Sequence, residues 1–174
     1  MTMTSRLHTA SFIQLLLIAL ISVTPAFGQG GRGGRGMMMG DAAHAADMQL
    51  FHQLFEHRTE IERHVIARAD GIETVTESKN PEVTRLLQTH VAAMLARVKE
   101  GRPIHQRDPL FVELFKYADR IEARHELTAG GVRVVETSKD AYVVKLLQAH
   151  AEVVSAFLAN GMSEMMKDHP APPR

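Results

Sequence analysis

The sequence has no cysteine among its 174 residues. This absence excludes disulfide bonds, thiolate metal ligands, covalent Cys-x-x-Cys-His attachment of haem and an anchor on a lipid-modified cysteine. The sequence also has no excess charge of either sign, because 20 basic residues balance 20 acidic ones. A chain without a strong electrostatic field gives no indication of nucleic acid or another polyanion as a partner.

Familiar catalytic motifs are missing as well. The sequence contains no G-x-S-x-G elbow, no phosphate-binding P-loop and no glycine-rich dinucleotide fingerprint. Ser78 and Ser138 come just before predicted helix caps, where serine is typical of a turn. The sequence therefore favours a binding protein, with a role in storage, delivery, sensing or electron transfer, over an enzyme.

An apolar run near the N-terminus is typical of an export signal. Arg6 precedes the run, which covers 12–21, and Pro25 and the small-residue pattern AFG at 26–28 follow it. The run is shorter than the ~20 residues that span a bilayer. These features predict a signal peptide over 1–28, cleaved near Gly28, and a secreted or periplasmic mature protein that is not held in a membrane.

The most informative feature of the chain is an internal repeat. A shift of 60 residues aligns 51–101 with 111–161, and 17 of the 51 aligned positions are identical. The strongest match pairs LLQTH at 86–90 with LLQAH at 146–150. Self-similarity of this length without gaps indicates a duplicated structural unit.

The hydrophobic pattern predicts an all-α protein. Apolar residues recur at helical spacing in four segments, which are 41–70, 81–100, 109–129 and 140–160. With short connections, these segments predict an up-down-up-down four-helix bundle over 41–161, with a short β-ribbon between 72–76 and 132–136. A flexible tether rich in glycine, arginine and methionine at 29–40 precedes the bundle, and a tail containing methionine and proline at 162–174 follows it.

The segment GVRVVETSKDAYVVKLLQAH at 131–150, with its counterpart at 71–90, resembles a family of small secreted bacterial proteins built from two helical repeats. The resemblance covers most of the mature chain. It implies export and a two-repeat helical architecture, and it implies no particular activity.

Two histidines and two glutamates stand out on the predicted helices. A helical wheel places His90 and His150 at the centres of the apolar stripes of the second and fourth helices. Glu62 and Glu122 take the same place on the first and third helices, and His125 faces the same side as Glu122. Equal distances from the predicted turns put the four central side chains at one level, which predicts a buried belt of two imidazoles and two carboxylates.

The belt leaves three interpretations open. Inward histidine and glutamate suit a transition metal ion, either zinc, iron, manganese or copper. A second possibility is non-covalent haem b with His90 and His150 as its axial ligands. The third is metal-free: two buried Glu–His pairs fix the register of a structural or interaction module, whose partner would be another exported protein.

Methionine and histidine also concentrate at the end of the predicted bundle opposite the ribbon. Thioether and imidazole ligands favour copper(I), although methionine often only fills irregular gaps. The candidate soft-metal ligands are Met37, Met38, Met39, His44, Met162, Met165, Met166 and His169.

Overall fold

Each repeat contributes a helix, a β-hairpin and a second helix, in that order, in a computed structural model that describes the backbone of 35–174 and the side chains of 43–174. The elements of the first repeat are α1 (Arg35–Glu56), β1 (Ile61–Arg68), β2 (Gly71–Ser78) and α2 (Pro81–Glu100). Those of the second repeat are α3 (Pro109–Lys116), β3 (Glu122–Leu127), β4 (Gly131–Thr137) and α4 (Ala141–Asn160), after which α5 (Met162–Met165) follows. Single turns of 3-10 helix at Arg58–Glu60 and Ala118–Arg120 precede β1 and β3.

The four strands form one antiparallel sheet in the order β1-β2-β4-β3. The two inner strands, one from each repeat, pair with each other from Gly71 opposite Thr137 to Glu77 opposite Gly131. The expected pairing of 72–76 with 132–136 is therefore present, as the centre of a larger sheet.

Gly71 and Gly131 allow the two inner strands to approach each other closely. A Cβ atom on Gly71 would lie 1.9 Å from the carbonyl oxygen of Glu136, and one on Gly131 would lie 2.0 Å from that of Thr76. Gly71 also has a φ of 157°, which L-residues with a side chain rarely adopt. Glycine at these two equivalent positions is thus a steric requirement of the sheet.

The prediction of an all-α four-helix bundle is wrong, because the molecule is mixed α/β. The predicted helices over 41–70 and 109–129 end early, at Glu56 and Lys116, and the chain after each is a strand. A short β-prone segment such as 72–76 cannot satisfy its backbone alone, and in both repeats its hairpin partner is the preceding segment that the wheel assigned to a helix.

The two long helices that pack on the sheet, α2 and α4, agree with the sequence prediction. Asn80 caps α2 by accepting a hydrogen bond from the amide of Glu82 at 3.0 Å, and Asp140 caps α4 by accepting one from Tyr142 at 2.9 Å. Gly101 ends α2 in the left-handed conformation, with a φ of 60°. At the other end of the chain, α1 begins at Arg35, inside the segment predicted to be a tether.

The helices cover one face of the sheet. Alternate residues of the inner strands point towards them, so Ile72, Thr74, Val132 and Val134 are buried. Both α2 and α4 lie on the inner strands, with α1 packed on α2 and α3 on α4. Among the described helices, α4 is the one with the length and composition of a membrane span, and its apolar side chains supply much of the core.

Candidate ligand-binding cavity

A cavity lies between the helices and the inner face of the sheet. It has two adjoining lobes of about 170 Å³ and 150 Å³. Side chains from α1, α2, α4 and β4 border both lobes, and those that matter most here are Phe51, His90, Met94, Glu136, His150 and Phe157. A mostly apolar cavity with a few convergent polar groups is the usual form of a small-molecule site.

His90 and His150 face this cavity from equivalent positions on α2 and α4. Each ring packs against a phenylalanine of its own repeat in an edge-to-face arrangement, with ring centroids 4.6 Å apart for His90 and Phe51 and 5.0 Å apart for His150 and Phe111. In both rings Nδ1 is buried and has no hydrogen-bond partner within the described structure. An unpaired buried nitrogen is costly, so the pair calls for a functional explanation.

Burial keeps both imidazoles neutral. It lowers the pKa of His90 to about 4, against a small opposing effect of Asp47. Burial also lowers the pKa of His150 to about 4, and the positive charge of Arg63 acts in the same direction. Both rings are therefore uncharged at neutral pH, with one N–H and one bare nitrogen each.

Arg63 on β1 and Glu136 on β4 form the sheet side of the cavity. Nη1 of Arg63 donates to Oγ1 of Thr76 at 2.8 Å, while its Nε is buried without a partner in the part of the chain described. Burial lowers the pKa of Arg63 to about 10, and burial raises the pKa of Glu136 although the nearby guanidinium opposes this. The sheet side thus carries a desolvated cation and a carboxyl group that resists ionisation.

The predicted belt of two glutamates and two histidines does not form. Glu62 and Glu122 lie on the outer strands and are exposed, as is His125 on β3. The physical reason is the change from helix to strand, which turns these side chains away from the core. Of the belt, only His90 and His150 reach a common site.

The structure gives no support to the prediction of a metal-ion centre. Across the side chains of 43–174, no group of three or more histidine, aspartate or glutamate residues is placed to hold a metal ion. The prediction of a metal-binding belt is therefore corrected together with that of the bundle.

The methionine-rich end is partly brought together. Met162, Met165 and Met166 line a surface hollow of about 250 Å³ that Met48, His52 and His105 also border. His44 is exposed on α1, and the side chains of Met37, Met38 and Met39 lie outside the described residues. Two of these methionines are well exposed, Met162 at 45% and Met166 at 71%, so these two do not fill gaps in the core.

His169 serves a structural purpose instead of standing free as a ligand. Its Nδ1 lies 2.5 Å from Oδ2 of the buried Asp108, and its Nε2 lies 3.2 Å from Oε1 of Glu164. Asp108 also caps α3 by accepting from the amide of Leu110 at 2.9 Å. The C-terminal tail is in this way fixed to the start of α3.

Sequence reasoning missed the two sheet residues of the cavity. Glu136 follows Val132 and Val134 at every second position, so the alternation of a strand places it on the inner face with them. That signal was readable. Arg63 gives no such signal, because the apolar spacing around it predicts a helix and it lies on β1.

Comparison with protein-family models, with curated proteins and with solved structures found no match to this chain. The resemblance to small secreted two-repeat proteins therefore stays a prediction.

Proposed function

We propose that this protein binds a small, largely apolar molecule in the cavity between α2, α4 and the sheet, and that it stores, delivers or senses this molecule. One observation carries the proposal: His90 and His150 border the same mostly apolar cavity from equivalent positions, and Nδ1 of each ring makes no hydrogen bond within the described structure. Two polar rings at equivalent sites of an otherwise apolar space are costly to retain unless a ligand pairs with the ring nitrogen that the protein does not enclose.

The test is a cavity-filling variant. Val154 borders both lobes, so Val154→Phe occupies space that a ligand needs. The fluorescent probe 1-anilinonaphthalene-8-sulfonate, which joins an apolar aromatic body to one sulfonate, should bind the purified protein with a dissociation constant in the micromolar range and raise its melting temperature by several degrees. The variant should weaken this binding at least tenfold, whereas Val65→Phe, at an exposed position on β1, should leave it unchanged.

Native mass spectrometry of protein purified from its natural source gives an independent check. A bound molecule that Val154→Phe loses and Val65→Phe keeps supports the proposal. Protein that carries no molecule and binds no probe contradicts it, and this result would favour the metal-free interaction module.

Non-covalent haem held by His90 and His150 stays a prediction. One observation favours it and another opposes it. Two neutral imidazoles, on α2 and α4, have the protonation state that axial ligation needs. However, a ligating histidine almost always donates its other N–H to a partner, and Nδ1 of both rings has none within the described structure. A Soret band on titration with hemin, lost in the double variant His90→Ala with His150→Ala, would favour haem.

We also propose that the protein acts outside the cytoplasm. The support is the charged, apolar and small-residue order of 1–28. N-terminal sequencing of the mature protein should start at Gln29 or within a few residues of it, and cell fractionation should find the protein in the exported fraction. A mature chain that still begins at Met1 contradicts this proposal.

A further inference from the structure

The protonation of the two cavity imidazoles restricts what can bind between them. In each neutral ring the proton is on either Nδ1 or Nε2. A proton on Nδ1 would leave a buried N–H donor without an acceptor, whereas a proton on Nε2 lies on the nitrogen that the protein does not enclose. The favoured tautomer of His90 and of His150 therefore has a bare Nδ1 and a proton on Nε2.

The same burial identifies the nitrogen that a ligand can reach. Each ring borders both lobes, and its Nδ1 is enclosed by protein. Nε2 is thus the ring nitrogen available to the cavity, and it offers an N–H. The two rings supply two hydrogen-bond donors.

The sheet side of the cavity has the same character. A guanidinium has donors and no acceptors, so Arg63 adds a cation that favours an acceptor. Burial raises the pKa of Glu136, so its charged form is costly beside the cavity, although the nearby Arg63 opposes this. A molecule with acceptor oxygens has several partners in this cavity.

The walls indicate the shape of the ligand. Phe51 and Phe111 hold the two imidazoles in edge-to-face contact, and Phe111 and Phe157 stack with ring centroids 6.1 Å apart. Aromatic walls favour a flat partner. Because the donors lie at equivalent positions of two repeats, two similar acceptors on opposite sides of the ligand match them best.

We propose that the occupant is a flat, uncharged molecule of the quinone class, whose two carbonyl oxygens accept hydrogen bonds from Nε2 of His90 and Nε2 of His150. This inference rests on the proposed ligand-binding function. It specifies the chemistry of the ligand and involves no covalent or redox step.

Menadione, a methylated 1,4-naphthoquinone, is a suitable probe, and 2-methylnaphthalene is its counterpart without oxygens. The chain has no cysteine, so menadione has no thiol to alkylate. Isothermal titration should show menadione binding at least tenfold more tightly than the hydrocarbon. Equal affinity of the two probes would overturn the quinone proposal and leave apolar binding in the cavity intact.

Variants of the two histidines test the hydrogen bonds directly. His90→Phe and His150→Phe keep an aromatic ring and remove the N–H, and each should weaken menadione binding about tenfold without changing the affinity for the hydrocarbon. His90→Gln and His150→Gln keep an N–H donor and should restore most of the loss, which a purely structural role would not produce. His64→Phe, at an exposed position on β1, is the matched control and should have no effect.

Other outcomes separate the failure of this inference from failure of the proposed function. One such outcome is tight binding of octanoate that Arg63→Met loses and both histidine variants keep. That result would identify an anion as the ligand and overturn the quinone proposal. A hemin complex that needs both histidines, with no menadione binding, would also overturn it. If menadione, the hydrocarbon, octanoate, hemin and the fluorescent probe all fail to bind the folded protein, both proposals are wrong.

Discussion

The two repeats build the same frame and place different charges in it. A shift of 60 residues relates His90 to His150, Phe51 to Phe111 and Gly71 to Gly131, and in each case the two residues have equivalent contacts. The symmetry is thus kept where the inner strands β2 and β4 pair and where the two imidazoles border the cavity.

The symmetry is lost on the sheet side of the cavity. Position 63 is arginine and its equivalent, 123, is alanine, while position 76 is threonine and its equivalent, 136, is glutamate. The first repeat therefore supplies the cation and the second supplies the carboxyl group. The residues that the repeats share thus frame the cavity, and the residues in which they differ give it polarity.

A second difference lies between the helices. In the first repeat, Arg97 on α2 forms an ion pair with Asp47 on α1, and both side chains are largely buried. The equivalent positions in the second repeat are Phe157 and Arg107. One repeat thus fixes its helices with charge, whereas the other uses an aromatic ring that also lines the cavity.

The largest expected effect tests the part that the repeats share. Gly71→Ala and Gly131→Ala each place a Cβ within about 2 Å of a carbonyl oxygen of the opposite inner strand. We expect each to lower the free energy of unfolding by at least about 3 kcal/mol, measured by urea denaturation, because neither backbone can move without breaking the central strand pair.

Gly101→Ala is the control for those two variants. Gly101 has a left-handed φ but no neighbouring atom within 4 Å, so only the conformational cost of about 1 kcal/mol applies. A large loss in one inner-strand variant and none in the other would contradict the equivalence of the repeats.

The sequence was sufficient to predict the repeat, the helices at 81–100 and 140–160 and the contact between the inner strands. The helices depend on local signals, which are caps, a proline at the first turn of 81–100 and periodicity, and the strand contact follows from the symmetry of the repeat. The outer strands could not be identified in the same way. Ile61, Val65 and Ile66 are spaced as on a helix, and only pairing with β2 shows that they form a strand.

The helix residues of the site could be predicted from the sequence, and its outer-strand residue Arg63 could not, because helices have local signals and the outer strands do not. His90 and His150 lie on helices whose register was correct, so their inward direction followed from the wheel. Glu62 and Glu122 lie on β1 and β3, where the sequence pattern predicts helix, so the neighbours predicted for their side chains are wrong. The predicted belt of two imidazoles and two carboxylates therefore does not form.

The ion pair of the first repeat should give the next largest effect. Asp47→Asn leaves the buried Arg97 without its counter-charge, and we expect the free energy of unfolding to fall by about 3 kcal/mol. The double variant Asp47→Leu with Arg97→Met should recover most of this loss, because the second repeat fills the equivalent place with an apolar side chain. Arg102→Met, which breaks an exposed pair with Glu100, should cost less than about 1 kcal/mol. A double variant as unstable as Asp47→Asn would contradict this explanation.

The two cavity imidazoles, His90 and His150, should make the stability of the protein sensitive to mild acid. Both have a pKa of about 4 when folded and 6.5 as the ordinary value, so between these limits the unfolded chain binds more protons. Their contribution to stability is complete above pH 6.5 and is lost as the pH falls towards 4. Between pH 6.5 and pH 5 we expect a loss of about 2 kcal/mol for each imidazole.

Denaturation curves at several pH values check this sensitivity. His90→Phe and His150→Phe should each reduce the slope by a similar amount, as the symmetry of the repeats requires. An unchanged slope in the double variant would show that other groups cause the acid sensitivity.

The smallest expected effect belongs to the tail, which has no counterpart in the first repeat. Burial alone would lower the pKa of His169, but the hydrogen bonds to Asp108 and Glu164 outweigh it and raise that pKa above 6.5. The stabilisation is therefore present below pH 6.5 and is lost as the pH rises through the folded value, which is the opposite sign to that of the cavity histidines. His169→Gln should lower stability by about 1 kcal/mol at pH 6 and by less at pH 9.

Hydrogen exchange at the amide of Leu110, which donates to the carbonyl oxygen of His169 at 3.0 Å, should accelerate in the same variant. Equal losses of stability at both pH values would show that packing, and not the charge of His169, fixes the tail. The pH response would then no longer distinguish His169 from the cavity histidines.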